Sequence, residues 1–222
     1  MINILLEGFD IDAEWLMPEL GRYLLPGMKA AIVALSFRDS QAHDAESWNA
    51  LYSRDGGRYY AGMVNALCAY GIREDDISFV NCFAESREDA AAKIAAADVL
   101  YFPGGLPDRM MERIEEMGLY DVILAHRGVV MGFSAGAVIQ MDEYHLSPDD
   151  DYPEFAYYRG FPWLKGFFLE VHYEGNQVQD ECIARVLREK KLPVYATEFM
   201  KGAMIFDNGK LTTVGDVKLF MP

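Results

Sequence analysis

Short runs of apolar residues alternate along the chain with longer stretches in which apolar residues recur at helical spacing. The apolar runs predict buried β-strands at residues 2–6, 29–35, 76–80, 98–102 and 129–133. The stretches with helical spacing predict helices at residues 13–24, 58–71, 87–97 and 108–118. Continuous apolar strands that alternate with helices form parallel sheets covered on both faces. The pattern therefore predicts an α/β fold, with a mostly parallel sheet flanked by helices on both faces.

Beyond residue 163 the pattern predicts further strands and one more helix. The predicted strands lie in "KGFFLEVHY", "PVYATE", "GAMIFD", "KLTTVG" and "VKLF", and the helix lies near residues 178–189. The stretch "DNGK" (207–210) predicts a hairpin turn, because Asn-Gly accepts the left-handed backbone of a two-residue turn. Residues 141–163 are irregular and rich in Pro, Asp and aromatic side chains. Since there is no repeat or low-complexity linker, we expect residues 1–222 to form a single α/β domain.

The net charge of −15 bears on which molecules the protein can bind, because it repels other polyanions. No block of Lys or Arg offsets it locally, so we expect neither nucleic-acid nor membrane binding. Three scattered cysteines without CxxC spacing favour a reducing compartment over a disulfide framework or a zinc site: Cys68, Cys82 and Cys182. The N-terminus does not resemble a signal peptide, and no stretch approaches the length of a membrane span. We therefore expect a cytoplasmic protein that needs no metal or cofactor.

The stretch "GVVMGFSAGAVIQ" (128–140) places a serine between two glycines directly after a predicted strand. Gly132 and Gly136 lie two positions to either side of Ser134, which is the G-x-S-x-G pattern of a nucleophile elbow. In such an elbow a sharp strand-to-helix turn exposes the hydroxyl of the serine. The alternative interpretation is an ordinary tight turn whose glycines only relieve crowding.

A second glycine-rich loop follows the strand at residues 98–102, in "FPGGLPDR" (102–109). Gly104 and Gly105 permit a turn with exposed backbone amides. Since ligand sites of open parallel sheets gather at the carboxyl ends of the strands, this loop and Ser134 are expected at the same edge. The amides of Gly105 and Ala135 are then candidates for an oxyanion hole. The alternative is a plain strand-to-helix loop.

A serine nucleophile needs a general base, and histidine is the usual one. His172 stands near the end of the predicted strand "GFFLEVHY" and is followed by a polar turn, which suits a side chain that faces a cleft. His145, in the irregular segment, remains a second candidate. His43 and His126 are better explained as a solvated side chain and as a partner of a helix C-terminus.

Four motifs together resemble the peptidase E family of aspartyl dipeptidases and cyanophycinases: "YFPGGLPDRM", "GVVMGFSAGAVI", "LKGFFLEVHY" and "YATEFMKGAMIF". The resemblance covers about residues 98–207 and implies a flavodoxin-like sheet related to the class I glutamine amidotransferases. It implies that Ser134 is the nucleophile, that His172 is the base, and that the amides of Gly105 and Ala135 form the oxyanion hole. The chain departs from the family at Leu106-Pro107, where polar residues are usual, and this affects the expected substrate preference.

The third member of the triad accepts a hydrogen bond from the base and stabilises the imidazolium. The resemblance points to Glu198, at the end of "PVYATE", and alternatively to Asp149, which matches an aspartate assigned to this role in aspartyl dipeptidases. Glu170 is a poorer choice because it lies on the same strand as His172.

The most consistent function is a serine hydrolase that cleaves short peptides through an acyl-enzyme on Ser134. The alternatives are a catalytically silent, amidotransferase-like binding module and an esterase of the same fold. Residues 141–163 are expected near the active site, where their rigid aromatic and proline residues would restrict the cleft to a small peptide or related amide. The alternative is that these aromatic residues only form core for the second half of the sheet. Four cations are candidates for recognising an acidic N-terminal residue, and none is assigned: Arg38, Arg109, Arg159 and Lys201. A homo-oligomer is possible.

Overall fold

An eight-stranded sheet forms the centre of the protein. A computed structural model describes residues 1–222, apart from the side chain of Phe199. The sheet has the order β10-β9-β1-β5-β4-β2-β3, and β8 pairs with β9 beside this path. Its strands are β1 (Ile2–Leu6), β2 (Ala30–Ile32), β3 (Ile77–Phe79), β4 (Val99–Phe102), β5 (Val129–Phe133), β8 (Phe168–Tyr173), β9 (Val194–Asp207) and β10 (Lys210–Phe220).

The sheet is parallel from β1 to β3. Strand β1 pairs with β5, β5 with β4, β4 with β2 and β2 with β3, each in parallel. All five were predicted from apolar runs, because their side chains are covered on both faces and few polar residues interrupt them. The predicted fold class, a mostly parallel sheet between helices, is confirmed.

The other edge of the sheet is antiparallel. The end of β9 pairs antiparallel with β1, while its beginning runs parallel to β8, and β10 pairs antiparallel along its length. The four short strands predicted after residue 193 are thus two long ones. They are joined at Asn208 and Gly209, whose φ angles of 48° and 84° are those of the predicted hairpin turn.

Eight helices lie on the described chain: α1 (Met17–Leu20), α2 (Ala45–Tyr52), α3 (Tyr60–Cys68), α4 (Arg87–Ala96), α5 (Pro107–Glu116), α6 (Tyr120–Leu124), α7 (Ala135–Val138) and α8 (Gln177–Lys190). The predicted helix at 13–24 is reduced to α1, because Pro18 occupies the first turn and the chain on both sides forms turns. Helix α2 was not predicted from apolar spacing. It begins at a capping box in which Asp44 and Ser47 satisfy each other's amides.

The core has two halves, one on each face of the sheet. Along β5, Val130 faces the half formed with α5, α6 and α8, whereas Val129 and Met131 face the half formed with α2 and α3. Leu100 and Tyr101 divide in the same way on β4. Because successive side chains of a strand point to opposite faces, both halves require the continuous apolar runs seen in the sequence.

The segment 141–163 is more regular than predicted. It forms the antiparallel hairpin β6 (Glu143–Leu146) and β7 (Ala156–Arg159). Tyr144 and Phe161 are fully buried in the core half beneath α5, and Trp163 stacks on Phe161 with ring centroids 4.4 Å apart. Much of the aromatic content of this segment therefore stabilises the core.

Helix α7 lies directly against the strands that carry it. A Cβ atom on Gly136 would come within 1.9 Å of the Phe102 carbonyl oxygen, and one on Gly132 within 2.3 Å of the Gly136 oxygen. Any larger side chain at either position would push α7 away from β4 and β5.

No helix of the described chain has both the length and the hydropathy to cross a bilayer.

We predict that Gly136→Ala lowers the free energy of unfolding by about 1–3 kcal/mol, the usual effect of overpacking. Urea unfolding followed by circular dichroism measures the change. The matched control is Gly62→Ala in α3, where an added Cβ meets nothing within 4 Å. There we expect stability to be unchanged or raised by less than about 1 kcal/mol, since alanine favours helix. Equal stability of both variants would contradict the close contact.

Candidate active site

Ser134 occupies the sharp turn between β5 and α7, as the glycine pattern predicted. Its φ and ψ angles are 51° and −113°, a conformation that residues with a Cβ rarely adopt. The amide of Ser134 donates to the carbonyl oxygen of Leu6, 3.1 Å away, which ties the turn to β1. The strained backbone projects the hydroxyl beyond the carboxyl edge of the sheet.

His172 meets the Ser134 hydroxyl. Its Nε2 atom lies 2.8 Å from the Oγ atom of Ser134, within the reach expected of a general base. The pairing of β8 with β9 shifts register between Glu170 and Tyr173, and within this bulge His172 has a φ of 55°. Gln179 of α8 holds the bulge by donating to the His172 carbonyl oxygen at 2.8 Å.

Glu7 is the carboxylate on the far side of the histidine ring. Its Oε1 atom pairs with Nδ1 of His172, and its Oε2 atom accepts from the His172 backbone amide at 3.0 Å. The Thr197 hydroxyl donates to the same Oε2 at 2.9 Å. The Glu7 side chain is only 1% exposed. A buried carboxylate with several donors is held in one position, so Glu7 fixes the orientation of the imidazole.

The structure corrects the expected position of Glu198. Its carboxylate is partly exposed and pairs with Lys201 at 2.7 Å. The residue before it, Thr197, is the one that reaches Glu7. Successive side chains of a strand alternate between faces, so Glu198 points away from the face that Thr197 presents to Glu7. The carboxylate that the resemblance pointed to is therefore one residue away from the position that contacts Glu7.

The alternative acid, Asp149, also lies elsewhere. Its side chain accepts from the amides of Asp151 and Tyr152 at 2.8 and 2.7 Å, so it shapes its own loop. Asp149 nevertheless lines the same cavity as His172.

The second candidate base, His145, is fully buried. It pairs with Glu170 at 2.6 Å, and the hydroxyl of Ser147 donates to the same carboxylate. His145 and Glu170 line the same cavity as His172, but His145 pairs with Glu170 and not with Ser134.

Three carboxylates act on the proton affinity of His172. Burial lowers the pKa of the imidazole, but the hydrogen bond and negative charge of Glu7 outweigh this effect, with smaller contributions from Asp149 and Glu170. The pKa of His172 is therefore raised above its ordinary value. The arrangement favours the protonated form of the ring.

The loop of Gly104 and Gly105 lies beside the elbow, because β4 and β5 are neighbouring parallel strands. Gly104 packs against the Phe133 ring, where a Cβ would approach to 2.4 Å. Ser36 fastens the loop: its hydroxyl donates to the Gly104 oxygen at 2.6 Å, and its carbonyl accepts from Leu106 at 2.7 Å. Gly105 has a φ of 136°. Pro107 begins α5, where no amide hydrogen is needed.

Two cavities flank this edge of the sheet. The first, the acidic cavity, has a volume of about 400 Å³ and is lined by His172 together with Asp149, Glu170 and Glu174. The second, the aromatic cavity, has a volume of about 390 Å³ and is lined by Gly104, Gly105 and Phe133 along with several aromatic side chains. Ser134 contacts His172, which lines the acidic cavity, and directly follows Phe133, which lines the aromatic cavity, so it has a histidine side and a glycine side.

The four cations considered from the sequence are all paired with carboxylates: Arg38 with Asp151, Arg109 with Asp39, Arg159 with Asp142 and Lys201 with Glu198. Of these only Arg38 lines either of the two cavities just described. Arg58, which the sequence analysis did not single out, lines the aromatic cavity as well.

Comparison with protein families gives a match to peptidase family S51 over residues 49–213, more than half of the chain. The chain belongs to peptidase family S51. It is accordingly a serine peptidase, as the motifs indicated. The silent binding module is thereby disfavoured. Comparison with curated protein sequences finds no match.

Solved structures similar to this peptidase share its fold at low sequence identity. One is a protein assigned as a peptidase E from Listeria monocytogenes EGD-e, with a TM-score of 0.65, 16% identity, and coverage of 97% of this chain and 98% of that one. Another is a peptidase from an acI-B1 Actinobacterium, with a TM-score of 0.64, 16% identity, and coverage of 99% and 89% respectively. At such identity the likeness shows the fold alone.

Glu7 is the site residue that sequence reasoning missed in this peptidase. One signal was present: "INILLEG" places an acidic residue directly after the first apolar strand, at the edge where sites gather. The sequence does not show that β1 lies beside β5. Without that pairing nothing distinguishes Glu7 from the other acidic residues, of which the chain has 35 in total.

We predict that Glu7→Gln lowers the pKa of His172, because the amide removes the negative charge and leaves the effect of burial. Proton NMR titration of the His172 ring measures the shift. The control is Glu198→Gln, which we expect to leave the titration of His172 unchanged. A larger shift in the Glu198 variant than in the Glu7 variant would restore Glu198 as the partner of the ring.

Proposed function

We propose that this peptidase cleaves short peptides through an acyl-enzyme on Ser134. The Oγ atom attacks the peptide carbonyl carbon while its proton passes to Nε2 of His172. The imidazolium then gives this proton to the leaving nitrogen as the C–N bond breaks. A water molecule, deprotonated by Nε2 of His172, then attacks the acyl-enzyme. The acid is released, and the proton returns from His172 to the Ser134 oxygen. The 2.8 Å contact between Ser134 and His172 is the observation that carries the proposal.

Glu7 completes the triad in this proposal. Its contacts with both Nδ1 and the backbone amide of His172 support a role in holding the ring with Nε2 toward Ser134. Its charge stabilises the imidazolium during transfer. Glu7 does not touch the reacting atoms and is therefore a positioning residue.

The amides of Gly105 and Ala135 are the proposed donors to the developing oxyanion. Among the described residues, neither amide donates to a backbone carbonyl. Ala135 is the first residue of α7, where an amide has no partner within the helix. Gly105 lies on the neighbouring strand end, in a loop fastened by Ser36. Donors that are already fixed need no rearrangement when the charge forms.

Short substrates are favoured by the loop at residues 147–152, part of which lines the acidic cavity. The Arg38 guanidinium forms a two-point contact with Asp151, and the hydroxyl of Tyr152 donates to Asp108 of α5. These contacts tie the loop to the elements that follow β2 and β4. An extended polypeptide needs an open groove, whereas a small peptide fits a cleft that is closed on this side. We also propose that the peptidase is cytoplasmic and works without a cofactor.

We predict that a small fluorophosphonate labels the protein at Ser134 and that Ser134→Ala abolishes the labelling. Mass spectrometry of the intact protein and of its peptides measures both. The control is Ser147→Ala, which removes a hydroxyl near the site but not the proposed nucleophile. Labelling that persists in the Ser134 variant would place the reactive group elsewhere.

We predict that Glu7→Gln reduces kcat by a factor on the order of 10²–10⁴, by analogy with other triad carboxylates. In wild type the labelling rate should fall as the pH drops through the raised pKa of His172, because only the neutral ring accepts the proton. In the variant this fall should move to lower pH. A pH series of labelling rates measures the shift, with Glu198→Gln as the control. An unmoved profile in the Glu7 variant would argue against the triad.

We predict that dipeptides and tripeptides are cleaved much faster than casein or a long unstructured peptide at equal bond concentration. Release of new amino groups measures both rates. Cleavage of the long substrate at internal bonds, with short peptides left intact, would contradict the closed cleft.

A further inference from the structure

The aromatic cavity lies on the glycine side of Ser134. Its walls carry five aromatic rings, from Phe9, Phe37, Tyr52, Tyr59 and Phe133. Phe9 and Phe133 meet edge to face with centroids 6.2 Å apart, and Phe9 is 61% exposed, an unusual position for so large an apolar side chain. A volume of about 390 Å³ is that of a small-ligand site. The exposed ring therefore marks the mouth of a binding cavity.

The mechanism assigns the two sides of Ser134 to different parts of the substrate. The imidazole must deliver its proton to the leaving nitrogen, so the leaving part lies toward His172 and the acidic cavity. The carbonyl oxygen of the acyl part points to the amides of Gly105 and Ala135. The cavity that begins at Gly104, Gly105 and Phe133 is then the one next to the acyl part.

We propose that the aromatic cavity binds a large apolar side chain, such as Phe, Leu or Met, of the residue whose carbonyl Ser134 attacks. This inference rests on the proposed function. Burying such a side chain among aromatic rings is favourable, because apolar surface is removed from water. The aromatic lining therefore selects for size and hydrophobicity.

The charges at the cavity support an apolar occupant over an acidic one. The guanidinium of Arg38 is already engaged by Asp151 through two contacts. Arg58 is exposed, with its guanidinium carbon 5.4 Å from the centre of the Tyr59 ring. A substrate carboxylate inside the cavity would lose hydration without a partner held in place, and such burial is unfavourable. An Asp substrate would have to displace Asp151 or draw in Arg58.

Gly62 provides a direct way to fill the cavity. It lies in α3, lines the aromatic cavity, and a Cβ added there meets nothing within 4 Å. Because the Cβ position is open and Gly62 lines the cavity, Gly62→Leu adds a side chain where the substrate is proposed to bind. Ala61→Leu is the matched control, since Ala61 is an exposed neighbour on the same helix that does not line the cavity.

The experiment measures kcat/KM for X-Ala dipeptides and their N-acetylated forms, with X as Phe, Leu, Ala or Asp. Wild type should cleave the Phe and Leu substrates at least tenfold faster than the Ala and Asp substrates. Gly62→Leu should lower the ratios of kcat/KM for the Phe and Leu substrates to that for the Ala substrate at least tenfold. Ala61→Leu should match wild type. Labelling of Ser134 by a small fluorophosphonate should be equal in all three proteins.

The labelling separates failure of this inference from failure of the proposed function. Protein that labels at Ser134 but cleaves the Asp substrates as fast as the Phe substrates, or cleaves none of the series, refutes the apolar cavity. So does a Gly62→Leu variant with unchanged selectivity. If preference for Asp is found and is lost in Arg58→Gln, the cavity binds an acidic side chain. Folded wild-type protein that neither labels nor cleaves refutes the proposed function itself.

Discussion

The parallel pairing of β1 with β5 is the constraint on which the site depends. Leu6 lies opposite Phe133, so the next residues of the two strands, Glu7 and Ser134, leave the sheet side by side. The Ser134 amide binds the Leu6 carbonyl at the same point. His172 completes the arrangement from β8, which lies beside β9 and so approaches the end of β1. A shift of one residue in the pairing of β1 with β5 would separate Glu7 from Ser134.

Two strained residues meet in this site, and each is held by neighbours. Ser134 and His172 both have positive φ angles, which typically cost about 1–3 kcal/mol each. The close fit of α7 against β4 and β5 fixes the first. The second is fixed by the contacts of Glu7 and Gln179 with the backbone of His172. The rest of the fold thus supplies the stability that keeps two reactive side chains in unfavourable backbone conformations.

The alternation of apolar runs and amphipathic helices was enough to predict the parallel sheet. Local motifs were enough to predict the positions of Ser134, His172 and the Gly104–Gly105 loop at one edge of it. These features are encoded over short distances along the chain. The carboxylate beside His172 is not, because it depends on which strands become neighbours. The register of β9 could not be predicted from the sequence either. For this reason Glu198 was expected in the site, whereas the adjacent Thr197 is the residue that reaches Glu7. The bulge in β8 had no sequence signal that we recognised.

The order of the site residues along the chain bears on when the peptidase becomes active during synthesis. Glu7 leaves the ribosome first and Thr197 last, and β1 is bordered by β5 and β9, both of which emerge much later. Until β9 has been made, one edge of β1 is open and the carboxylate of Glu7 lacks the Thr197 hydroxyl. Assembly of the proposed triad therefore waits for almost the whole chain. In a chain that ends before β9, Glu7 therefore lacks both a neighbouring strand and a hydrogen-bond donor that hold it against His172.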